Sequence, residues 1–268
     1  MPENPAEGLP TYENPPVVEV VCGVFFQPIK LQLPHYGLLW ERFKGDYPRF
    51  EEAIPLIRAA ANAGEITLTA ADIPLPRLWF ISADDTSVVQ IQRNCFLTNW
   101  RRVRPTDEYP RYQKVIELHN DRLTSFKTFL EEHELGSLVP NYYEMTYVNH
   151  VPQGDGWETL DEIGELFPDL AWRREPSRYL TSISGVNQRL TFEMPDQMGQ
   201  LLVAIQSAER RPDMHKILTF ELTVRGKPQD HSEDQVRRWF DSARKTIVRG
   251  FTDLTSGEAQ RDLWKRTR

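Results

Sequence analysis

Apolar positions along this chain come in short blocks with two periods. Val17 to Phe26 (VVEVVCGVFF) is almost continuously apolar and valine-rich, which predicts a central strand buried on both faces. His35 to Lys44 places Leu39, Trp40 and Phe43 on one helical face, and Tyr47-Pro48 closes that helix. A short helix is expected near Glu51 to Ala61. Leu78 to Ser82 and Ser87 to Trp100 read as two strands of a hairpin turned at Asp84-Asp85. From Tyr109 to Glu134, Tyr112, Ile116, Leu123, Phe126, Phe129 and Leu130 recur at helical spacing, and Gly136 and Pro140 end the helix. Asn141 to Val151 alternates as a strand.

The pattern then changes. Arg178–Gly185, Gln188–Met194, Gln200–Ala208 and Lys216–Arg225 read as four strands with short turns, which favours antiparallel pairing. Ser232 and Gln235 have capping-box spacing. Val236, Trp239, Phe240, Ala243, Ile247, Phe251 and Leu254 then form one wide helical stripe. The expected fold is α+β: two mainly antiparallel sheets packed by long helices, ordered β-α-β-β-α-β and then β-β-β-β-α. Its organisation is an extended tail (1–16), an N-terminal half (17–151), a connector (152–176) and a C-terminal half (177–268).

Composition narrows the function classes. The chain has 268 residues, enough for a substantial core, and a net charge of -7, which opposes an extended nucleic-acid surface. Its start, MPENPAEGLP, lacks a basic region followed by an apolar one, and no apolar run approaches the ~20 residues of a membrane span. A cytoplasmic protein is therefore expected. Cys22 and Cys95 sit in apolar runs and read as buried hydrophobes rather than a disulfide pair.

No phosphate loop, GxSxG, HExxH, paired CxxC or dinucleotide fingerprint is present, so no catalytic residue, cofactor or metal is assigned. The six histidines lack local metal-ligand spacing; His119 reads as a core-edge side chain bonded to backbone. Two charges fall inside apolar patterns. Glu19 interrupts the most apolar strand, and Arg93 shares a face of the long strand Ser87 to Trp100 with Val89, Ile91, Cys95 and Leu97. Buried charges need partners, so a Glu19–Arg93 pair across adjacent strands is expected, either as a register device or as a polar site. Glu144 and His150 share one strand face roughly 20 Å apart and require partners from other segments. Gln90, Gln92, Asn94 and Thr98 line the opposite face of the same continuous strand. Trp100, Arg101, Arg102 and Arg104 join an aromatic to three guanidiniums, a group able to hold phosphate or stack on a base.

Several of these segments together carry a resemblance. PPVVEVVCGVFF (15–26), the helix with His35, Gly37 and Trp40, QIQRNCFLTNWRR (90–102), YPRY (109–112), EMTYVNHV (144–151) and FTDLTSGEAQRDLW (251–264) resemble a sporadically distributed, functionally uncharacterised family of bacterial proteins of about 250 residues. The resemblance spans nearly the whole chain. It supplies no catalytic residues, and the family's patchy occurrence implies accessory loci such as toxin–antitoxin or phage-defence systems. The leading expectation is a non-enzymatic protein-binding component that recognises a protein partner through a sheet edge or helical face. One alternative is a small-ligand binder or enzyme using Glu19, Arg93, Glu144 and His150. The other is nucleic-acid binding through Trp100–Arg104. A homodimer stays open, and a membrane partner is not expected.

Overall fold

The computed structural model describes residues 8–56, 75–172, 175, 177–195, 198–211 and 213–268. Its strands are β1 (Val17–Phe26), β2 (Arg49–Ala53), β3 (Arg77–Ile81), β4 (Ser87–Gln92), β5 (Cys95–Arg101), β6 (Pro140–Pro152), β7 (Asn187–Glu193), β8 (Gly199–Arg210) and β9 (His215–Gly226). Its helices are α1 (Leu33–Phe43), α2 (Arg111–Glu132), α3 (Ile163–Leu166), α4 (Glu233–Leu254) and α5 (Gly257–Asp262). The mixed α+β class is as expected. The two expected sheets are one: among the described residues the strand order is β2-β3-β4-β5-β1-β6-β9-β8-β7. The long strands β1 and β6 are paired on both sides, so neither closes a separate sheet. The chain forms two compact units, Val21–Tyr143 and the residues up to Val20 together with Glu144–Arg268.

Within Val21–Tyr143, α1 and α2 pack on the sheet face that carries Phe80 and Phe96, while Phe25, Cys95 and Leu97 form a buried cluster on the other. Phe80 of β3 stacks on Phe43 of α1 at 5.8 Å, and Phe96 and Phe26 meet Phe126 of α2 at 5.0 and 6.3 Å. Helix α1 starts at Gln32, whose backbone N–H donates to His35 Nδ1 (2.9 Å), so this histidine serves a helix start. His119 is fully buried on α2 and bonds the Thr98 hydroxyl (2.9 Å), a side chain rather than the backbone expected. Burial pushes its imidazole down to about 3. Cys22 and Cys95 are buried and unbridged, as expected.

Three expectations fail in this unit. Glu51–Ala53 belongs to β2, not to a helix, and the rest of the expected helix, beyond Leu56, lies outside the described residues. In this strand Phe50 and Glu52 share one face, opposite Phe80 and Leu78, and Glu51 takes the other. Ser87–Trp100 is not one strand but two, turned at Arg93 and Asn94 with Gln92 opposite Cys95. Neither turn residue takes a positive φ, so the usual glycine signal is absent from the sequence. The turn also swaps faces after residue 94. Val89 pairs with Thr98 and Ile91 with Phe96, whereas Gln90 pairs with Leu97. Thr98 therefore joins the core, and Asn99 takes the place expected for Thr98 beside the glutamines.

In the other unit, β7, β8 and β9 form an antiparallel meander. Leu201, Val203 and Ile205 lie opposite Val224, Leu222 and Phe220, all buried. Helix α4 lays Trp239, Phe240, Ala243, Ile247 and Phe251 over this face, with Phe251 stacked on Phe220 at 5.6 Å. A Cβ at Gly250 would lie 2.9 Å from Leu201 Cδ2, so glycine allows this approach of helix to sheet. The expected Ser232 capping box is not made: the Ser232 hydroxyl donates to Asp230 instead. The expected first strand, Arg178–Gly185, is not a strand, leaving β-β-β-α. The neighbouring amides of Ile183 and Val186 donate to the side chains of Asp161 and Ser207, and Tyr179 is 98% exposed. An isolated bridge joins Tyr12 to Arg266, and the Tyr12 hydroxyl bonds Thr252 (2.8 Å), so this part of the expected tail packs on the C-terminus. The expected connector also carries core: Phe167 packs edge-on against Phe220 at 5.0 Å.

Candidate functional site

The strongest exposed feature of Val21–Tyr143 is built by β2 and α1. Phe50 lies opposite Phe80 in the ladder and so shares the core face. It sits one strand further out, where it stays 56% exposed and meets Trp40 edge-to-face at 6.0 Å. Leu33, Gly37 and Trp40 recur at i, i+4 and i+7 along α1 and so line one stripe. Leu33 is exposed, and a Cβ at Gly37 would meet nothing within 4 Å. Ile54, just past β2, is 83% exposed. The charges beside this rim are uneven. Arg49 is held by Asp85, and Lys44 is held by Glu41. Glu52, opposite Leu78, falls on the Phe50 face and gives it acidic character. An apolar rim with an acidic flank on an outer strand suits docking of a segment that carries an apolar side chain beside a cation.

The four expected ligand residues have separate surroundings. Glu144 of β6 is buried, and its Oε2 accepts from Arg225 Nε and Nη2 of β9 (2.9 and 2.8 Å). Next to this pair, the Thr146 and Thr223 hydroxyls bond at 2.8 Å, and Thr223 donates to Glu221 (2.9 Å). This run ties β6 to β9. His150 is half-buried on β6, and burial, then the positive charge of Arg210, lowers its imidazole below the usual value. It stands six residues from Glu144 on the same strand, roughly 20 Å away. Glu19 is half-buried within β1. Arg93 is an exposed turn residue whose Nε donates to the Leu31 carbonyl (3.1 Å). The expected face for Arg93 within a continuous strand does not exist, so the geometric basis for its pairing with Glu19 is lost.

The arginine cluster is largely committed to acids of its own unit. Trp100 is buried against Tyr109 at 5.3 Å. Arg101 Nε donates to the Asp85 carbonyl (2.8 Å), and its Nη2 lies 3.8 Å from the Asp85 carboxylate. Arg104 pairs with Asp107 at 3.1 Å and donates to the Asp84 carbonyl. Asp107 also accepts the backbone N–H groups of Val103 and Arg104. Arg102 is half-buried, and its Nε is enclosed without a hydrogen-bond partner among the described residues. Two of the three guanidiniums, those of Arg101 and Arg104, are thus engaged within the loop.

The polar face of β4 is likewise satisfied internally. Arg77 Nη1 donates to Gln90 Oε1 (2.8 Å), Gln90 Nε2 donates to Asn99 Oδ1 (2.7 Å), and Gln92 bonds the Leu56 backbone and Asn94. Among the described residues no cluster of three or more His, Cys, Asp or Glu is placed to hold a metal ion. No helix there is long and apolar enough to cross a membrane.

Sequence reasoning missed the Phe50–Trp40 rim because it assigned Trp40 to the helix core and gave β2 no strand. The available signal was RFEEA, an aromatic beside two acids with no glycine or proline, directly after Tyr47-Pro48. No protein-family model and no curated protein matches this chain.

Proposed function

We propose that the chain is a non-enzymatic protein-binding component that docks a partner segment on the Phe50–Trp40 rim. We further propose that it belongs with the bacterial family its motifs resemble, in toxin–antitoxin or phage-defence loci. The observation that carries the binding role is Phe50: a large aromatic more than half exposed on an outer strand, packed edge-on against Trp40. Aromatic side chains of this kind dominate binding energetics once a partner covers them. The acidic flank selects a segment with an apolar anchor and a neighbouring Lys or Arg.

Affinity capture of the full chain from its native host, with mass spectrometry, tests this. The wild-type protein should retain one stoichiometric protein. Phe50→Asp should lose that protein roughly tenfold or more with an unchanged unfolding transition, and Glu52→Lys should weaken it less. Equal capture by Phe50→Asp overturns the rim as the docking site. Retention of nucleic acid that is released by salt, with no protein, overturns the reading itself.

A further inference from the structure

At the opposite end of the strand order from β2, the outer strand β7 has a sequence that pairs with itself. Its backbone directions follow from its ends. Ser207 N–H donates to the Val186 carbonyl, and Met194 N–H donates to the Gly199 carbonyl. Even-numbered residues of this strand therefore turn their N–H and C=O toward β8, because these directions alternate along a strand. Asn187, Arg189, Thr191 and Glu193 turn theirs to the edge that is left unpaired among the described residues. Side chains alternate as well. Leu190 and Phe192 lie opposite Val203 and Leu201, on the face that α4 covers. Phe192 is nevertheless 43% exposed. Arg189, Thr191 and Glu193 are exposed on the other face.

We infer that β7 is the seam of a homodimer, in which two copies of β7 pair antiparallel about a two-fold axis through Thr191. Hydrogen bonding allows this register, and three side-chain matches favour it. It sets outward-facing residues against outward-facing residues, as hydrogen bonding requires, and gives about six new backbone bonds. It sets Arg189 against the second copy's Glu193 twice, once on each side of the axis. It sets Leu190 against the second copy's Phe192 as a closely spaced pair on the α4 face, where each covers the other's apolar surface. Thr191 meets its own copy, a favourable cross-strand pair. A centre at Leu190 instead opposes Arg189 with Thr191 and leaves both charges unmatched. Moving the centre by half a residue puts inward-facing amides against outward-facing ones, which forbids the ladder. Such isologous closure consumes the open edge and is the usual form of a two-fold interface.

The seam is independent of the partner proposed for β2, and its test reads self-association alone. Sedimentation velocity of the full chain over a concentration series should show a reversible dimer. Arg189→Glu and Glu193→Arg should each weaken it by roughly tenfold or more, since each places like charges opposite one another twice. The double variant Arg189→Glu with Glu193→Arg should restore it. Thr191→Pro should abolish the dimer while the monomer stays folded, because the N–H removed points away from β8. A wild-type monomer at all concentrations overturns the inference. So does a dimer indifferent to these changes, or a double variant no better than the singles.

Discussion

The two outer strands, β7 and β2, differ in what they offer. β7 balances one cation and one anion around a central threonine, and its apolar residues face the helix-covered side. β2 has given its arginine to Asp85 and keeps Glu51 and Glu52. A second copy of β2 would therefore bring acids together, whereas a second copy of β7 finds each charge matched. Outer strands of one sheet can thus be specialised by two or three residues each, one for its own kind and one for a different partner.

The comparison can be pressed hardest on β7 itself. Leu190→Pro and Thr191→Pro are neighbours with opposite expected outcomes. The first removes a donor that faces β8 and leaves a β8 carbonyl unpaired, which should cost roughly 2–3 kcal/mol of folding stability. The second, compared with wild type at concentrations where both are monomers, should leave stability within about 0.5 kcal/mol, the range of ordinary surface changes. Equal losses in urea unfolding would mean that the assigned backbone directions are wrong.

The next effect separates the cores. In Val21–Tyr143, His119 is held neutral by burial, with its folded value pushed down to about 3. The unfolded chain then binds the extra proton first, so the stabilisation is complete above the unfolded value of about 6.5 and is lost as pH falls toward 3. The slope contributed is roughly 1.4 kcal/mol per pH unit within that window. His119→Leu should flatten stability between pH 6 and 4. An unchanged slope would show that other groups govern acid unfolding.

A smaller effect lies on β6 and β9. Arg225→Met leaves the buried Glu144 carboxylate without its two donors. Because the arginine side chain is 36% exposed, the expected loss is about 2 kcal/mol rather than the larger cost of a fully buried pair. Adding Glu144→Leu to Arg225→Met should recover part of it. No recovery would place the role of Glu144 outside this pair.

Much of the fold was legible because its signals are local. The stripe from Val236 to Leu254 is α4, with a hydrophobic period that only a helix can present to one surface. Asp84-Asp85 turns the hairpin as expected: Asp85 sits at φ 69°, and Asp84 accepts from the Ser82 hydroxyl and then from Thr86, bonds that hold its carboxyl below the usual range. The turn at Arg93–Asn94 was not legible, because it uses no positive φ and so requires neither glycine nor a preceding asparagine. That single miss placed Arg93 inside a strand and moved Thr98 to the wrong face. The second was Arg178–Gly185, which alternates like a strand. Its neighbouring amides are instead taken by the Asp161 and Ser207 side chains, acceptors that no local pattern announces.

By itself the sequence determined the periods of its longest segments: that α2 and α4 turn as helices with one apolar stripe each, and that β1 and β6 extend. Those depend on residues a few positions apart. Only the tertiary structure decided which strands are neighbours, that one sheet rather than two holds them, and that β2 and β7 are its outer strands among the described residues. It also decided that Glu144 meets Arg225 and Arg101 meets Asp85. These pairings join residues distant in the chain. Their free energy depends on burial and register, which no single segment encodes.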